Sequence, residues 1–452
     1  MKDNLSEILK GHKADYIEIR LEKNTHTGIN YEGKELEEIS QPVSSGGSVR
    51  ALVKGGWGFV SFNDTNALRD KVELAVSQAT IVGKEDSHIA SLEPIVDTVL
   101  PDSNMDPTKL SLSMKKALLD EYNAIIWGTP KIQTSTLSYS DGRKDVIFAN
   151  SEGSYIEQSR VGINLRVSVI ARDGTEIQQA GLSLGSSGDF TEIQNLHEQV
   201  QEVSQRAVEL LAAPRDKGGE YTVVLDPVLA GVFVHEAFGH LSESDFLYED
   251  DRLKELMVLG RTFGKKHLNI IDDPTLPKLR GSYKYDDEGT RSHKSYLVRE
   301  GVLVGRLHSR ETAAKMNEPV SGNARTIGYR HPPIVRMSNT LIEPGDVSFK
   351  DMIADTKDGL YVKDWYGGTT AMEMFTFSAR EAYRIRNGKI EELLRPVVLS
   401  GNVFTTLQNI DAIGDDLHMN QGGGCGKGGQ FPLPVSDGSP HIRIQKCLVG
   451  GG

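Results

Sequence analysis

The 452 residues predict an α+β fold of two domains: an N-terminal mixed antiparallel sheet with helices, then a β-rich C-terminal domain. Three observations carry this. Segments of period-two alternation dominate the chain, turn pairs recur at hairpin spacing, and one polar, breaker-rich stretch, PRDKGG (214–219), reads as a linker. The expected domains are therefore 1–215 and 216–452.

The elements follow in order. ADYIEIRLE (14–22) alternates Tyr16, Glu18 and Arg20 with Ile17, Ile19 and Leu21, the pattern of a half-buried strand. Beyond it, Glu32-Gly33 and Gly55-Gly56 read as turns of a meander. Residues 66–82 place Leu68, Val72, Ala75, Val76 and Ala79 at helical spacing, and 106–128 repeat that pattern. Strand signals return at 132–181, punctuated by Asp141-Gly142, Glu152-Gly153 and Asp173-Gly174, and 190–213 read as a long helix. After the linker comes the strand YTVVL (221–225). Asp226-Pro227 is then a natural N-cap and first-turn proline, so a helix starts there. The remainder reads as short strands and turns, with hairpins at 298–307 and around Asn387-Gly388.

Composition narrows the function. A net charge of −12 argues against a phosphate-backbone binder, so no direct nucleic-acid contact is expected. No run approaches the 18 or so apolar residues of a membrane span, and the first residues lack the apolar core of a signal peptide, so the expected location is cytoplasmic. Two cysteines, Cys425 and Cys447, cannot build a disulfide framework.

The helix that follows Asp226 carries HEAFGH (235–240). Histidines four apart share a helix face, but His235 and His240 are five apart, and in an ideal α-helix about 500° of rotation would splay their rings by about 140°. A π-bulge restores a common face, and Gly239 eases the backbone before the second ring. Glu236 then supplies the carboxylate that a hydrolytic zinc site keeps beside the metal to accept a proton from water. A third ligand is still required. Glu243 and Asp245 are near in sequence; Cys425, flanked by glycines in QGGGCGKGGQ (421–430), is far away but chemically apt. That glycine run fails as a phosphate loop, because Gln421 and Gly428 stand where Gly and Ser or Thr belong. Cys447 alternates within a strand and reads as a small hydrophobe.

At these motifs the chain resembles the TldD/PmbA family, the modulator of DNA gyrase family, in its TldD branch. VRALVKGGWGFVSFND (49–64), DPVLAGVFVHEAFGHLSESD (226–245), DDEGT (286–290), SGNARTIGYRHPPIVRMSNT (321–340) and GGGCGKGGQFPLPVSDGSP (422–440) carry the resemblance. It implies a zinc metallopeptidase acting on unfolded or flexible peptides, with His235, His240 and Cys425 on the metal and Glu236 as general base. Glu243 then supports a ligand or faces substrate. Arg325, Tyr329, His331 and Arg336 form one polar segment from which an oxyanion donor could come. Family members pair as homodimers or with a TldE/PmbA-type paralogue. The competing readings are a non-catalytic scaffold subunit of such a complex and a metal-dependent amidase on small molecules.

Overall fold

The computed structural model describes residues 1–83, 88–371 and 373–451. Among them the first half builds one eight-stranded sheet. Its path is Gly56–Phe62, Val43–Val53, Tyr16–Glu32, Ile132–Asn150, Tyr155–Asp173 and Val96–Val99, with Glu35–Ser40 and Glu176–Ser186 pairing alongside. Long strands replace several expected short ones. Asp141-Gly142, expected as a turn, lies inside Ile132–Asn150. Asp141 is buried there against Lys115 (2.5 Å) and Tyr139 (2.5 Å), and Gly142 lies where a Cβ would press on the Thr25 carbonyl. A Gly there answers close backbone approach, not a chain reversal.

Helix Leu68–Val82 buries Leu68, Val72, Ala75 and Ala79 against Ile17, Ile19, Val49 and Ala51. The other two expected helices are each broken. Short 3-10 turns, Pro107–Lys109 and Phe190–Ile193, precede the α-helices Leu112–Gly128 and His197–Ala212. Ser111 accepts from the Met114 N–H as a new N-cap, which explains the first restart. These two helices cover Leu137, Leu165, Val167 and Val169.

The alternation of the first strand holds, but its polar face is not solvated. Glu18, Arg20 and Glu22 are each at most 5% exposed, because that face docks on the second half of the chain. Arg20 pairs with Glu22 (3.1 Å) and Asp287 (2.5 Å), and Arg50 bridges Glu18 (3.0 Å) and Glu288. Burial is unfavourable for such charges unless every one is paired, and here each carboxylate has a guanidinium.

The second half adds two larger sheets. Asp358–Ala371, Gly219–Leu225, Ile442–Gly451, Val397–Asn402 and Met374–Arg386 pair in that order, and Asp358–Ala371 also pairs with Met374–Arg386, closing the sheet on itself. The other sheet runs Val302–Leu303, Ser295–Arg299, Ile270–Asp272, Asn339–Ile342, Ser436–Ser439, His418–Asn420. Helix Pro227–Val234 is sandwiched between them and is apolar on every side, as a fully enclosed helix must be. Phe233 meets Phe375 edge-on at 5.3 Å, and Gly231 lets the helix approach Asp437 and Gly438, where a Cβ would meet backbone at 2.9 Å. No helix among the described residues is long and apolar enough to cross a membrane.

Asp226 caps this helix, accepting from the N–H groups of Leu229 (2.9 Å) and Asp364 (3.0 Å). Burial, reinforced by the Asp364 carboxylate, pushes its pKa up to about 7. Because the folded value lies above the unfolded one, the stabilising contribution is complete below about pH 4 and is lost as pH rises to about 7. Asp226→Asn keeps the acceptor oxygen and removes the charge. The variant is expected to match wild type at pH 4.5 and exceed it at pH 8, by on the order of 2 kcal/mol, in thermal melts run at both pH values.

Candidate metal centre

Val234 ends the α-helical part, and His235–Gly239 form a π-helical turn in which the His240 N–H donates to the His235 carbonyl. The extra residue turns both rings to one side, with centroids 5.3 Å apart and planes at 83°. Gly239 has φ −59°, ordinary for a helix, so backbone freedom is not its role here. Its role is space: a Cβ there would collide with the sulfur of the buried Met337.

Cys425 reaches the rings from the other end of the second half. The glycine run is not a free loop but a hairpin, Gly424–Lys427 against Gln430–Pro434, with Cys425 opposite Leu433. The next strand, Ser436–Ser439, packs on the histidine-bearing helix, and this brings the thiol to 3.4 Å from His240 Nε2. One donor atom each from His235, His240 and Cys425 lies within 4.8 Å of the others.

The electrostatics suit a cation at this point. Burial alone would raise the Cys425 thiol, but His235 and His240 overcome it and bring it down to about 5, which makes the sulfur a thiolate. Burial likewise opposes charge on His235, yet Cys425 lifts that ring to about 9. His235 Nδ1 is buried without a hydrogen-bond partner. An anionic sulfur with two imidazole nitrogens is a donor set that borderline-soft divalent ions favour.

Glu243 orients the second ring. It is fully buried, accepts from His240 Nδ1 at 3.0 Å and from the Met337 N–H at 3.3 Å, and pairs with Lys427 at 3.1 Å. His240 and Lys427 together outweigh burial and hold its carboxyl down to about 2. With Nδ1–H committed to Glu243, Nε2 is left to face Cys425. Glu243 is thus neither a third donor nor open to substrate. Asp245 is also occupied, by Lys427 (2.5 Å) and the Val335 N–H (3.2 Å). Lys427 was not among the expected site residues. Its signal was present, a lone cation inside GCGKGG, but only the fold supplies the two carboxylates it serves.

Glu236 sits differently. Its side chain is 33% exposed, its carboxylate lies 4.0 Å from His240 Nε2, and it lines a cavity of about 450 Å³ with His240, Phe246, Gly368, Thr370 and Gly426. The structure does not bring Arg325, Tyr329, His331 or Arg336 to this cavity. Arg325 and Arg336 are buried and donate to the backbone carbonyls of Met337, Pro434 and Gln430. Tyr329 donates to Asn63 (2.7 Å) in the first half, and His331 lines a separate recess beside it. The segment's polar residues hold the two halves and the Cys425 hairpin in place.

A substitution isolates the steric constraint on the turn. Gly239→Ala is expected to destabilise the protein by about 1–3 kcal/mol through its collision with Met337, measured by denaturant melts, and Gly239→Ala with Met337→Ala is expected to recover part of that loss.

The chain has relatives along its whole length. The PmbA/TldA metallopeptidase domain 1 matches residues 17–79, the central domain 106–211 and the C-terminal domain 218–451. A metalloprotease of Synechocystis sp. is 44% identical over 100% of this chain and 98% of its own. A metalloprotease of Methanothermobacter thermautotrophicus is 38% identical over 97% and 96%, and a zinc metalloprotease TldD homolog of Saccharolobus solfataricus is 30% identical over 97% of each. The fold is shared with a modulator of DNA gyrase from Thermotoga maritima (TM-score 0.81, 20% identity, 99% of each chain) and with TldE from Thermococcus kodakarensis (TM-score 0.78, 16% identity, 99% and 98%). With three domains matched along almost its whole length, the chain belongs to the PmbA/TldD metallopeptidase family.

Proposed function

We propose that the protein is a zinc peptidase that hydrolyses flexible peptides, with His235, His240 and Cys425 holding the metal and Glu236 acting as general base. The observation that carries this reading is the convergence of three donors from positions up to 190 residues apart, beside one carboxylate left open to a cavity. The name of the Saccharolobus relative supports zinc as the ion. When bound, zinc supplies Lewis acidity that polarises a carbonyl and acidifies water. The chain's own residues do the rest. Glu236 accepts a proton from the attacking water and returns it to the leaving amine, a role that needs the partial exposure it has. Glu243 keeps the His240 ring fixed, and Lys427 keeps Glu243 ionised.

Peptide recognition fits the cavity's other wall. Gly368, Thr369 and Thr370 belong to the strand Asp358–Ala371, which pairs with Met374–Arg386 on one side and with Gly219–Leu225 only at Leu360–Val362. Among the described residues, 367–371 therefore pair on one side only, and their other edge beside Glu236 is where an extended substrate would add by main-chain hydrogen bonds. Met372, in the same segment, lies outside the described residues. The expected assembly is a dimer, with a second copy or with a TldE-type paralogue, in keeping with the fold shared with TldE.

The test combines metal analysis with cleavage of an unfolded polypeptide, the chain being supplied with any TldE-type partner. Glu236→Gln is expected to retain zinc and lose about 10²–10⁴-fold in rate, whereas Cys425→Ser is expected to lose zinc and rate together. Chelator-resistant cleavage, or equal cleavage by Glu236→Gln, would end this reading. Glu243→Ala is expected to weaken zinc binding about 10–100-fold, read by competition with a chelating dye.

A further inference from the structure

Away from the metal centre, three arginines share the seam between the halves, none of them in hydrogen-bond contact with a carboxylate among the described residues. Arg160 comes from Tyr155–Asp173, Arg280 from the loop after Ile270–Asp272, and Arg325 from Ala324–Arg325. Arg160 and Arg280 form the common wall of two adjoining cavities of about 350 and 390 Å³, and Arg325 lines the smaller one. Arg160 and Arg325 lie on the ring of Tyr283, at 5.1 and 4.9 Å.

The buried carboxylates around them are already assigned, and the exposed Asp102 also lines the larger cavity. Asp287 is held by Arg20 at 2.5 Å, Glu22 by Arg20 and Lys144, Asp145 by Arg143, and Asp141 by Lys115. Among the described residues none of the three arginines forms an ion pair. Arg160 donates to the Tyr285 carbonyl, Arg280 to those of Gln421 and Gly423, Arg325 to those of Met337 and Pro434, and Arg325 Nε is buried with no partner. Burial holds Arg280 down to about 10, and it lowers Arg160 as well, where Arg325 and Arg20 add to the lowering and the Asp287 carboxylate, shared with Arg20, offsets only part of it. Neutral carbonyls, one aromatic face and a share of Asp287 do not balance three guanidiniums that stay protonated. In a chain of net charge −12, this local excess is a built feature.

We infer that this seam is an oxyanion-binding site, with Arg160 and Arg280 as its fork donors and Arg325 as its supporting charge. The cavity sizes suit a small ligand, and guanidinium forks match the oxygens of a phosphate or a carboxylate. The oxyanion could be free phosphate or the terminal carboxylate of a peptide. Arg280 also fastens the strap leading to Cys425, so the anion would brace that strap.

Calorimetry on the full-length chain at constant ionic strength tests this with two probes, inorganic phosphate and acetyl-dialanine, against chloride. Saturable binding of either, at a Kd of about 1 mM or tighter, is expected, and the probe that binds identifies the source. Arg160→Gln is expected to weaken it at least about tenfold. Should that variant fail to fold, Arg160→Lys keeps the charge, removes the fork and is expected to lose about tenfold as well. Absence of saturable binding by both probes, or unchanged affinity in a folded Arg160 variant, overturns the inference. Neither result depends on peptidase activity, so this site and the metal centre stand or fall separately.

Discussion

One backbone hydrogen bond sets the geometry of the candidate metal centre. Where an α-helix would bond the His240 N–H to Glu236, here it reaches the His235 carbonyl, and the turn widens by a residue. That widening puts both imidazoles on the side where Cys425 arrives. It leaves Glu236 between them in sequence but directed to the cavity. The turn is itself over-determined. Asp226 fixes its start, apolar packing encloses it on both sheets, and Met337 occupies the space beside Gly239 that any side chain would need. A π-turn is a weakly populated backbone state, and it persists because the surroundings leave no room for the relaxed alternative.

The first half of the chain is part of this constraint. Ser183, on an outer strand of its sheet, donates to the Gly422 carbonyl at 2.7 Å, and Arg280 grips the Gln421 and Gly423 carbonyls from the other side. The strap before Cys425 is therefore clamped between halves whose docking depends on the buried pairs of Arg20 and Arg50. Such pairs add little net stability against an apolar interface, but they penalise any misregistered docking heavily, because a slip leaves charges buried alone. Glycines let the strap run close to the sheet: a Cβ at Gly422 would strike the Ser183 carbonyl.

What was legible in the sequence follows from what is local. The helix start at Asp226-Pro227, the hairpin at Asn387-Gly388 and the alternation of residues 16–21 are near-neighbour patterns, and each appears in the structure. The extra turn residue was legible too, since five-residue spacing admits few other ways to bring two rings together. Asp141-Gly142 misled because a turn dipeptide and a tight sheet crossing use the same glycine, and only Lys115, 26 residues earlier, reveals which applies. The half-buried reading of Glu18 and Arg20 failed for the same reason: Arg20 pairs with Asp287, and Arg50 links Glu18 to Glu288, both acids in the other half. Arg325 and Arg336 looked like site residues because they are polar in a polar segment, yet burial turns their donors to backbone carbonyls.

The cavity joins these threads into a constraint on what can enter. Part of its lining belongs to buried elements, since Glu236 and His240 sit on the enclosed turn and Gly426 on the clamped hairpin. One wall is a strand edge bearing glycine and threonine, which presents main-chain groups and little side-chain bulk. Its lining also includes Phe246, Asp250 and Leu253 from the helices Ser244–Glu249 and Asp251–Leu256 and the residue between them. Under the proposed function, about 450 Å³ takes a few residues of extended chain and not a folded domain, whose backbone donors are already spent on its own sheets and helices. On the proposed reading, selectivity for flexible peptides thus follows from backbone satisfaction, and side-chain identity enters only where Phe246 and Leu253 offer an apolar contact.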